Sequence, residues 1–329
     1  MATLTLDEAE RLVAGALARA RTSPENATCV ARALVAAEAD GLKGHGLSRA
    51  PTYAAQAKVG KVDGFATPKL ARPRPGAAVI DAAHGFAFPA LAAAVEALPA
   101  MAREAGIASA AIFRSHHCGA AGHPAERLAE QGLVALMVAN TPAAIAPWGG
   151  AKAVFGTNPI AFACPLPGRP PLVIDLALSK VARGNILAAK QKGEPIPRSW
   201  ALDAEGKPTT DPDAALAGTM LPLGDAKGTP LALMVELLAA GLTGANFAAD
   251  ASSFLDAKGP PPGTGQLVVA FDPAAFGGSP ERFVRLIEQV ESQPGARLPG
   301  SRRLLLRQRA KSDGLTVSET LLKEIESAA

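Results

Sequence analysis

Three of the five histidines in this chain of 329 residues fall between residues 114 and 123: His116, His117 and His123. Histidine titrates nearest neutrality, so it suits moving a proton on or off a small substrate at pH 7. His117 stands in the run Ser115-His116-His117-Cys118-Gly119-Ala120-Ala121-Gly122, whose glycines let backbone approach whatever the imidazoles face. A fourth histidine, His45, is bracketed by Gly44 and Gly46, with Arg49 about one helical turn on. Tyr53, the one tyrosine in the chain, is a further turn along the same face. An arginine fork can bond both oxygens of a carboxylate. Together these side chains suit proton transfer on a substrate anchored by its carboxylate. His117 is the nominated proton-transfer group and His45 its orienter or an alternative acid. Arg49 is a candidate clamp or a solvated face, His45 is otherwise a helix-entry cap, and Tyr53 is a pocket wall, a hydrogen-bond donor or a packing residue.

Other chemistry is open to the same stretch. Cys118 beside two histidines allows a Cys/His hydrolase, which would be inactivated by thiol alkylation. A bound metal is not expected, because the histidines lack a carboxylate partner at ligand spacing. The three cysteines, Cys29, Cys118 and Cys164, show no CxxC pairing, which argues against both a disulfide framework and a structural zinc site.

The elements that must position these groups are legible from pattern. Thr5 and Glu8 form a capping box, and Ser23-Pro24-Glu25 is a second helix start, so two amphipathic helices open the chain. A third helix is expected over Ser48–Val59. Strands are expected at Ala77–Asp81, Ile107–Phe113, Leu133–Val138, Leu172–Leu176 and Gln266–Asp272, with helices over Pro89–Ala105 and Ala125–Gln131. Ile107–Phe113 delivers the histidines at its end, as α/β folds place functional groups. Asp175 ends a strand and can cap the next helix, expected from Ser179, or bond an amide or a ribose. Lys190–Ala217 reads as a polar excursion with turns. Leu231, Met234, Val235, Leu238 and Leu242 are spaced as the core face of a helix over Pro230–Leu242. Pro280–Glu291 is a helix, and a last helix begins at Ser318. Between them lies a basic run, Arg297 to Arg309.

Composition bounds the classes. Hydrophobic residues are 48% and charged residues 19%, as in an ordered globular protein, and a net charge of +3 is too small to argue for nucleic acid. No apolar run is long enough for a membrane span, and the first residues do not read as a signal peptide, so a cytoplasmic protein is the expectation. No Gly-x-Gly-x-x-Gly follows an early strand with an acid about 20 residues on, so the standard dinucleotide fold is not supported.

The histidine stretch resembles the core signature of the type-2 malate/L-lactate dehydrogenase family, which includes sulfolactate dehydrogenases and Δ1-piperideine/Δ1-pyrroline-2-carboxylate reductases. The matching blocks are Ser115-x-His117-x-Gly119-x-x-Gly122, Pro147 to Gly150, Gly156-Thr157-Asn158-Pro159, Gly44 to Arg49, Asp175 to Ser179, and Lys227-Gly228. They follow the family's order over nearly the whole chain. Two positions depart from the pattern: Gly44 stands where many members have Ser, and Asp225-Ala226 precedes Lys227 where members often have Gly-His.

The resemblance implies an α/β fold that is not the Rossmann type, with a mixed-sheet cofactor domain (76–279) inserted into a helical domain built from both chain ends (1–75 and 280–329). It implies an NAD(P)-dependent oxidoreductase that passes hydride to C2 of a small 2-oxo or cyclic 2-imino acid, working as a homodimer. NADP or NAD would be held by Ser115, His117, Gly119, Gly122, Thr157, Asn158, Asp175, Ser179, Lys227, Gly228, Arg302 and, more weakly, Arg303. Gly44 and the Ala143-Ala144-Ile145 wall suggest few polar groups beyond the carboxylate clamp. That leans toward the cyclic imine over a linear acid such as malate, lactate or sulfolactate. The alternative outside enzymology is a cofactor-binding paralogue without turnover.

Overall fold

The structure, a computed structural model, describes residues 1–328. Strand β1 (Ala2–Leu4) leads to α1 (Leu6–Arg19), whose capping box has the Glu8 amide donating to the Thr5 hydroxyl and the Thr5 amide donating to the Glu8 carboxylate. Helix α2 (Pro24–Ala39) starts at the Ser23 cap with proline in the first turn. Two 3-10 turns, Lys43–His45 and Leu47–Arg49, then feed α3 (Ala50–Lys58). The expected third helix is therefore shorter: Leu47–Arg49 is a tighter 3-10 turn, and the α-helix runs only from Ala50 to Lys58.

The central region runs β2 (Lys69–Arg74), β3 (Ala77–Asp81), α4 (Ala87–Ala105), β4 (Ile107–Ser115), α5 (Gly122–Ala129), β5 (Val134–Ala139), β6 (Ile160–Leu166) and β7 (Arg169–Leu176). It continues through α6 (Arg183–Lys192), β8 (Ala201–Leu202), α7 (Pro212–Ala217), β9 (Thr219–Met220), α8 (Gly228–Glu236), a π-helical turn over Leu237–Gly241, and β10 (Thr264–Phe271). Helices α9 (Pro280–Glu291) and α10 (Ser301–Asp313), strand β11 (Leu315–Val317) and α11 (Glu319–Ser327) close it.

The main sheet has seven strands in the order β2-β3-β4-β10-β5-β6-β7, and only the β3–β4 pair is parallel. This is the mixed, non-Rossmann sheet expected. Its register decides the site. Ser115 at the end of β4 pairs with Thr264 at the start of β10, and Gln266 pairs with Ala139 at the end of β5. Ile160 at the start of β6 pairs with Leu176 at the end of β7. One rim of the sheet thus gathers the histidine run, the Gly-Thr-Asn-Pro turn and Asp175.

Both chain ends build the helical layer. A core of Val13, Leu17, Val30, Leu34, Tyr53, Leu315, Val317 and Ile325 joins α1, α2 and α3 to β11 and α11, and β1 pairs with β11. Helix α9, placed with the chain-end helices by its position in the sequence, packs on β6 instead. Its apolar stripe of Phe283, Val284 and Ile287 meets Cys164, Leu166 and Leu172.

Other departures have local causes. Leu178 donates its amide to Thr157 and Ser179 bridges to Pro222, so the chain stays extended after β7 and α6 starts at Arg183, not Ser179. The polar excursion contains α7 and β8. Of the core face expected over Pro230–Leu242, Val235 is buried and Leu238 packs against the core, but Leu231, Met234 and Leu242 are 41%, 42% and 65% exposed, and Ala232 and Ala239 are buried, so the face is partly rotated. The rotation brings Glu236 inward, where it accepts from Asn140 (3.0 Å), Asn158 (2.8 Å) and the Ala248 amide (2.6 Å). Among the described residues no helix is long and apolar enough to cross a membrane.

Candidate active site

The turn bearing His45 and Arg49 is shaped by a residue that sequence reading passes over. Glu38, buried near the end of α2, accepts from the Leu47 amide at 3.0 Å and pairs with Lys43. A Cβ on Gly46 would lie 2.2 Å from Glu38 Oε2 and 3.0 Å from its Cα, so only glycine fits. Arg49 Nε donates to the Gly44 carbonyl at 2.7 Å, which folds the guanidinium back over the turn.

Across from it, β4 ends in the histidine pair. His45 and His117 stack, with ring centroids 5.2 Å apart and 14° between planes. The Tyr53 hydroxyl lies 2.5 Å from His117 Nδ1. His116 is fully buried, edge-on to Tyr53 and Phe86, and neither ring nitrogen has a partner. Its carbonyl accepts from Gln266 at 3.1 Å. The structure thus brings together His45, Arg49, Tyr53 and His117, and adds Phe254, whose ring lies 5.1 Å from His116 and 5.2 Å from His117. Nothing in the local sequence marks Phe254, which sits in a loop far along the chain.

Burial, reinforced by cations, keeps these imidazoles neutral. The pKa of His45 is pulled down to about 4 by burial, then by Arg49 and His123. That of His116 falls to about 3 through burial, Lys61 and Arg49. His117 is pushed well below its usual range by burial, Arg49 and the other two histidines. Burial raises the Tyr53 phenol, which stays protonated. Cys118 is raised to about 12 by burial and the Asp175 charge, so it is a thiol, which disfavours a nucleophilic role. Among the described residues no group of three His, Cys, Asp or Glu is placed to hold a metal ion.

Farther along the rim stand the polar groups expected at a cofactor. Asp175 Oδ2 accepts the Gly122 amide at 2.7 Å, tying β7 to the start of α5. Burial raises its pKa, and the Gly122 amide opposes that. Gly119 holds a φ of +67° against the Phe88 ring, a conformation that suits glycine. The Thr157 hydroxyl lies 3.3 Å from that of Thr141, to which the Thr157 amide donates at 2.8 Å. Ser115 Oγ, Asn158 Oδ1 and Ser179 Oγ are buried without protein partners. Lys227 is exposed on a 3-10 turn whose preceding strand lies against Ser179, and Gly228 opens α8. Gly300 abuts the Val173 carbonyl, which sets the start of α10 and exposed Arg302 beside β7.

Arg303 is placed differently. It pairs with Glu126 at 3.1 Å and lies 3.6 Å from Asp40. Arg307 makes closer contacts with both acids, at 2.6 and 2.8 Å, and His123 donates to Asp40 from 2.9 Å. Burial would raise Asp40, but the Arg307 and His123 hydrogen bonds outweigh it and hold its pKa at about 2. This cluster joins α2, α5 and α10. The turn 118–123 also borders a groove of about 870 Å³ between α2, α4 and α5, lined by Cys29, Leu91, Cys118, Ala120, His123 and Arg307.

An arginine beside stacked, phenol-supported histidines, next to a rim of unpartnered polar atoms, suits proton transfer on an anionic substrate. Comparison with known proteins agrees. The family described as malate/L-lactate dehydrogenase matches residues 4–326. The chain belongs to this malate/L-lactate dehydrogenase family. It is 53% identical to a (2R)-3-sulfolactate dehydrogenase (NADP(+)) of Chromohalobacter salexigens, over 99% of this chain and 98% of that one. It is 42% identical to a Δ1-pyrroline-2-carboxylate/Δ1-piperideine-2-carboxylate reductase of Pseudomonas putida, over 97% and 94% of the two chains. Among solved structures, it superposes on Δ1-piperideine-2-carboxylate reductase from Pseudomonas syringae with a TM-score of 0.94, at 39% identity and full coverage of both chains. Sulfolactate dehydrogenase from Methanocaldococcus jannaschii gives 0.91 at 29% identity, covering 99% and 96%.

As a member of this family the chain is an NAD(P)-dependent oxidoreductase. Its residues fit the cofactor. Among the described residues, the buried oxygens of Ser115, Asn158 and Ser179 lack partners, and buried polar groups are otherwise almost always bonded; a polar ligand along this rim would satisfy them.

Proposed function

We propose that this enzyme interconverts 3-sulfopyruvate and (2R)-3-sulfolactate with NADP(H). The observation that carries the reading is the charge balance at the histidines. The permanent charges that depress the three rings are cationic: Arg49 acts on His45, His116 and His117, and Lys61 also acts on His116. A site with that imbalance favours a substrate bearing two anionic groups over one bearing a single carboxylate. The relative at 53% identity is named for such a substrate.

In this reading Arg49 holds the carboxylate. His45 is the proton-transfer group in preference to His117, because His45 is the less buried ring and His117 is engaged by Tyr53. The stacked His117 orients His45. In the reducing direction His45 gives a proton to the C2 oxygen. The substrate's two negative charges oppose the cations that depress its pKa, so binding itself favours the charged imidazole. In the oxidising direction neutral His45 takes that proton back. The nicotinamide, when bound, supplies or accepts the hydride at C2. Ser115, Thr157, Asn158, Asp175 and Ser179 hold and orient it, with Lys227 and Arg302 toward the phosphates.

The cyclic imine, toward which the sequence leans, is the second reading. Aromatic packing favours it, since Phe86 and Phe254 crowd the histidines. The proposed wall does not, because Ile145 is fully buried in a core cluster with Phe155 and Leu178. A homodimer is part of the proposal. The unburied face of α8, with Leu231, Met234 and Leu237, is an apolar surface suited to a second copy.

The test is NADPH and NADH oxidation with 3-sulfopyruvate, oxaloacetate, pyruvate, Δ1-pyrroline-2-carboxylate and Δ1-piperideine-2-carboxylate. Highest kcat/KM on 3-sulfopyruvate with NADPH is expected. A higher value on either imine overturns the sulfonate reading in favour of the second.

A further inference from the structure

Lys61 has no accessible side-chain surface, yet among the described residues the one carboxylate paired with it, Asp256, is 3.6 Å away and half exposed. Its ammonium instead donates to three backbone carbonyls of one loop: Ser253 at 2.6 Å, Asp256 at 3.0 Å and Lys258 at 2.6 Å. Gln56, fully buried in α3, adds two more donations from Nε2, to the Phe254 carbonyl at 3.2 Å and the Asp256 carbonyl at 2.9 Å. Burying an ammonium is costly, and three carbonyls repay it only if the loop holds one geometry. The residue at the centre of that loop is Phe254. Its ring leans on His116 and His117 at 54–59°. Tyr53, three residues before Gln56 on the same helix, bonds the other side of His117. One short segment, 53–61, therefore fixes both His117 and the ring packed on it.

We propose that Phe254 is the wall that limits the size of the side group on C2 of the substrate, and that Lys61 and Gln56 are its positioning residues. This rests on the histidine pair being the reaction centre. A loop held only by its own turns, rich in glycine and proline from 259 to 263, would let the ring swing and blur that limit. Clamped from α3, the ring keeps a fixed distance from the histidines and lets pass a compact sulfomethyl group while rejecting a benzyl group.

The experiment compares kcat/KM for 3-sulfopyruvate and phenylpyruvate with NADPH in wild type, Phe254→Ala, Lys61→Met, Lys61→Arg and the double variant. Phe254→Ala is expected to move the ratio toward phenylpyruvate by about tenfold or more, the scale of pocket-size discrimination. Lys61→Met should move it the same way, Lys61→Arg should restore most of it, and Lys61→Met should add nothing once Phe254 is alanine. An unchanged ratio in Phe254→Ala overturns the proposal. So does a Lys61→Met effect that lowers both substrates equally, or that persists in the Phe254→Ala background. If Lys61→Met does not fold, Gln56→Leu takes its place in the same cycle. A wild type that reduces neither acid refutes the underlying reading of the site, an outcome distinct from an unchanged ratio in active enzyme.

Discussion

The Tyr53 hydroxyl sits 2.5 Å from Nδ1 of His117, and His117 in turn stacks on His45. Burial keeps the phenol protonated, so the contact is a hydrogen bond between two neutral groups, and it fixes the orientation of the supporting histidine. Tyr53→Phe should lower kcat about tenfold, the loss of one oriented hydrogen bond, with little change in the KM for NADPH. His45→Ala should lower kcat by roughly 10²–10⁴, the range for a lost acid–base group. Steady-state kinetics on both variants checks the order; a smaller loss in His45→Ala than in His117→Ala would return the proton transfer to His117.

Activity should resist acid in the oxidising direction. The base must be neutral, and burial with Arg49 and His123 holds His45 near about 4, not at its ordinary 6.5. The acid limb of kcat/KM for the 2-hydroxy acid should therefore fall near pH 4. A limb at pH 6–7 would show that another group takes the proton.

Folding stability should behave in the opposite sense. His116 has a folded pKa of about 3 against 6.5 for an exposed imidazole. Its contribution is fully present above pH 6.5 and is lost as pH falls toward 3, at about 1.4 kcal/mol per pH unit. His117 is shifted in the same direction. Denaturant unfolding of His116→Leu at pH 7.5, 6 and 5 should show a shallower loss than wild type by about that slope. Parallel pH dependences would contradict it.

Gly46→Ala should lose roughly 10²-fold in activity yet stay folded. The added methyl collides with Glu38 side-chain and backbone atoms, and Glu38 cannot retreat while it holds the Leu47 amide. The turn carrying His45 and Arg49 must shift, and a shift of about 1 Å costs roughly 10²-fold in rate. Circular dichroism with turnover assays separates this from unfolding.

Two adjacent arginines should separate cofactor affinity from stability. Arg302→Met, at an exposed position, should raise the KM for NADPH and leave Tm near wild type. Arg303→Met removes a partner from two buried acids and should cost roughly 3 kcal/mol of stability. Thermal melts beside NADPH titrations distinguish the two, and equal losses of cofactor affinity would place both side chains at the phosphates.

The sequence alone determined what depends on residue type at short range. Capping boxes, prolines at helix starts and glycine-flanked histidines are local signals. So the first two helices, α9, the strand that delivers His117 and the turn that pairs His45 with Arg49 were all legible, and the ordered blocks gave the family. The tertiary structure decided what depends on register and distance. Only the seven-stranded order brings Ser115, Asn158 and Asp175 to one rim, because pairings such as Ser115 with Thr264 span far more chain than any pattern reaches. Glu38, Lys61 and Phe254 carry no local signal, since each acts through a partner distant in sequence or through backbone that any residue supplies. The face of α8 was misread at Leu231, Met234 and Leu242, though not at Val235, for a related reason. Spacing marks an apolar stripe, but the burial of Glu236 by Asn140 and Asn158 decides which way the helix turns.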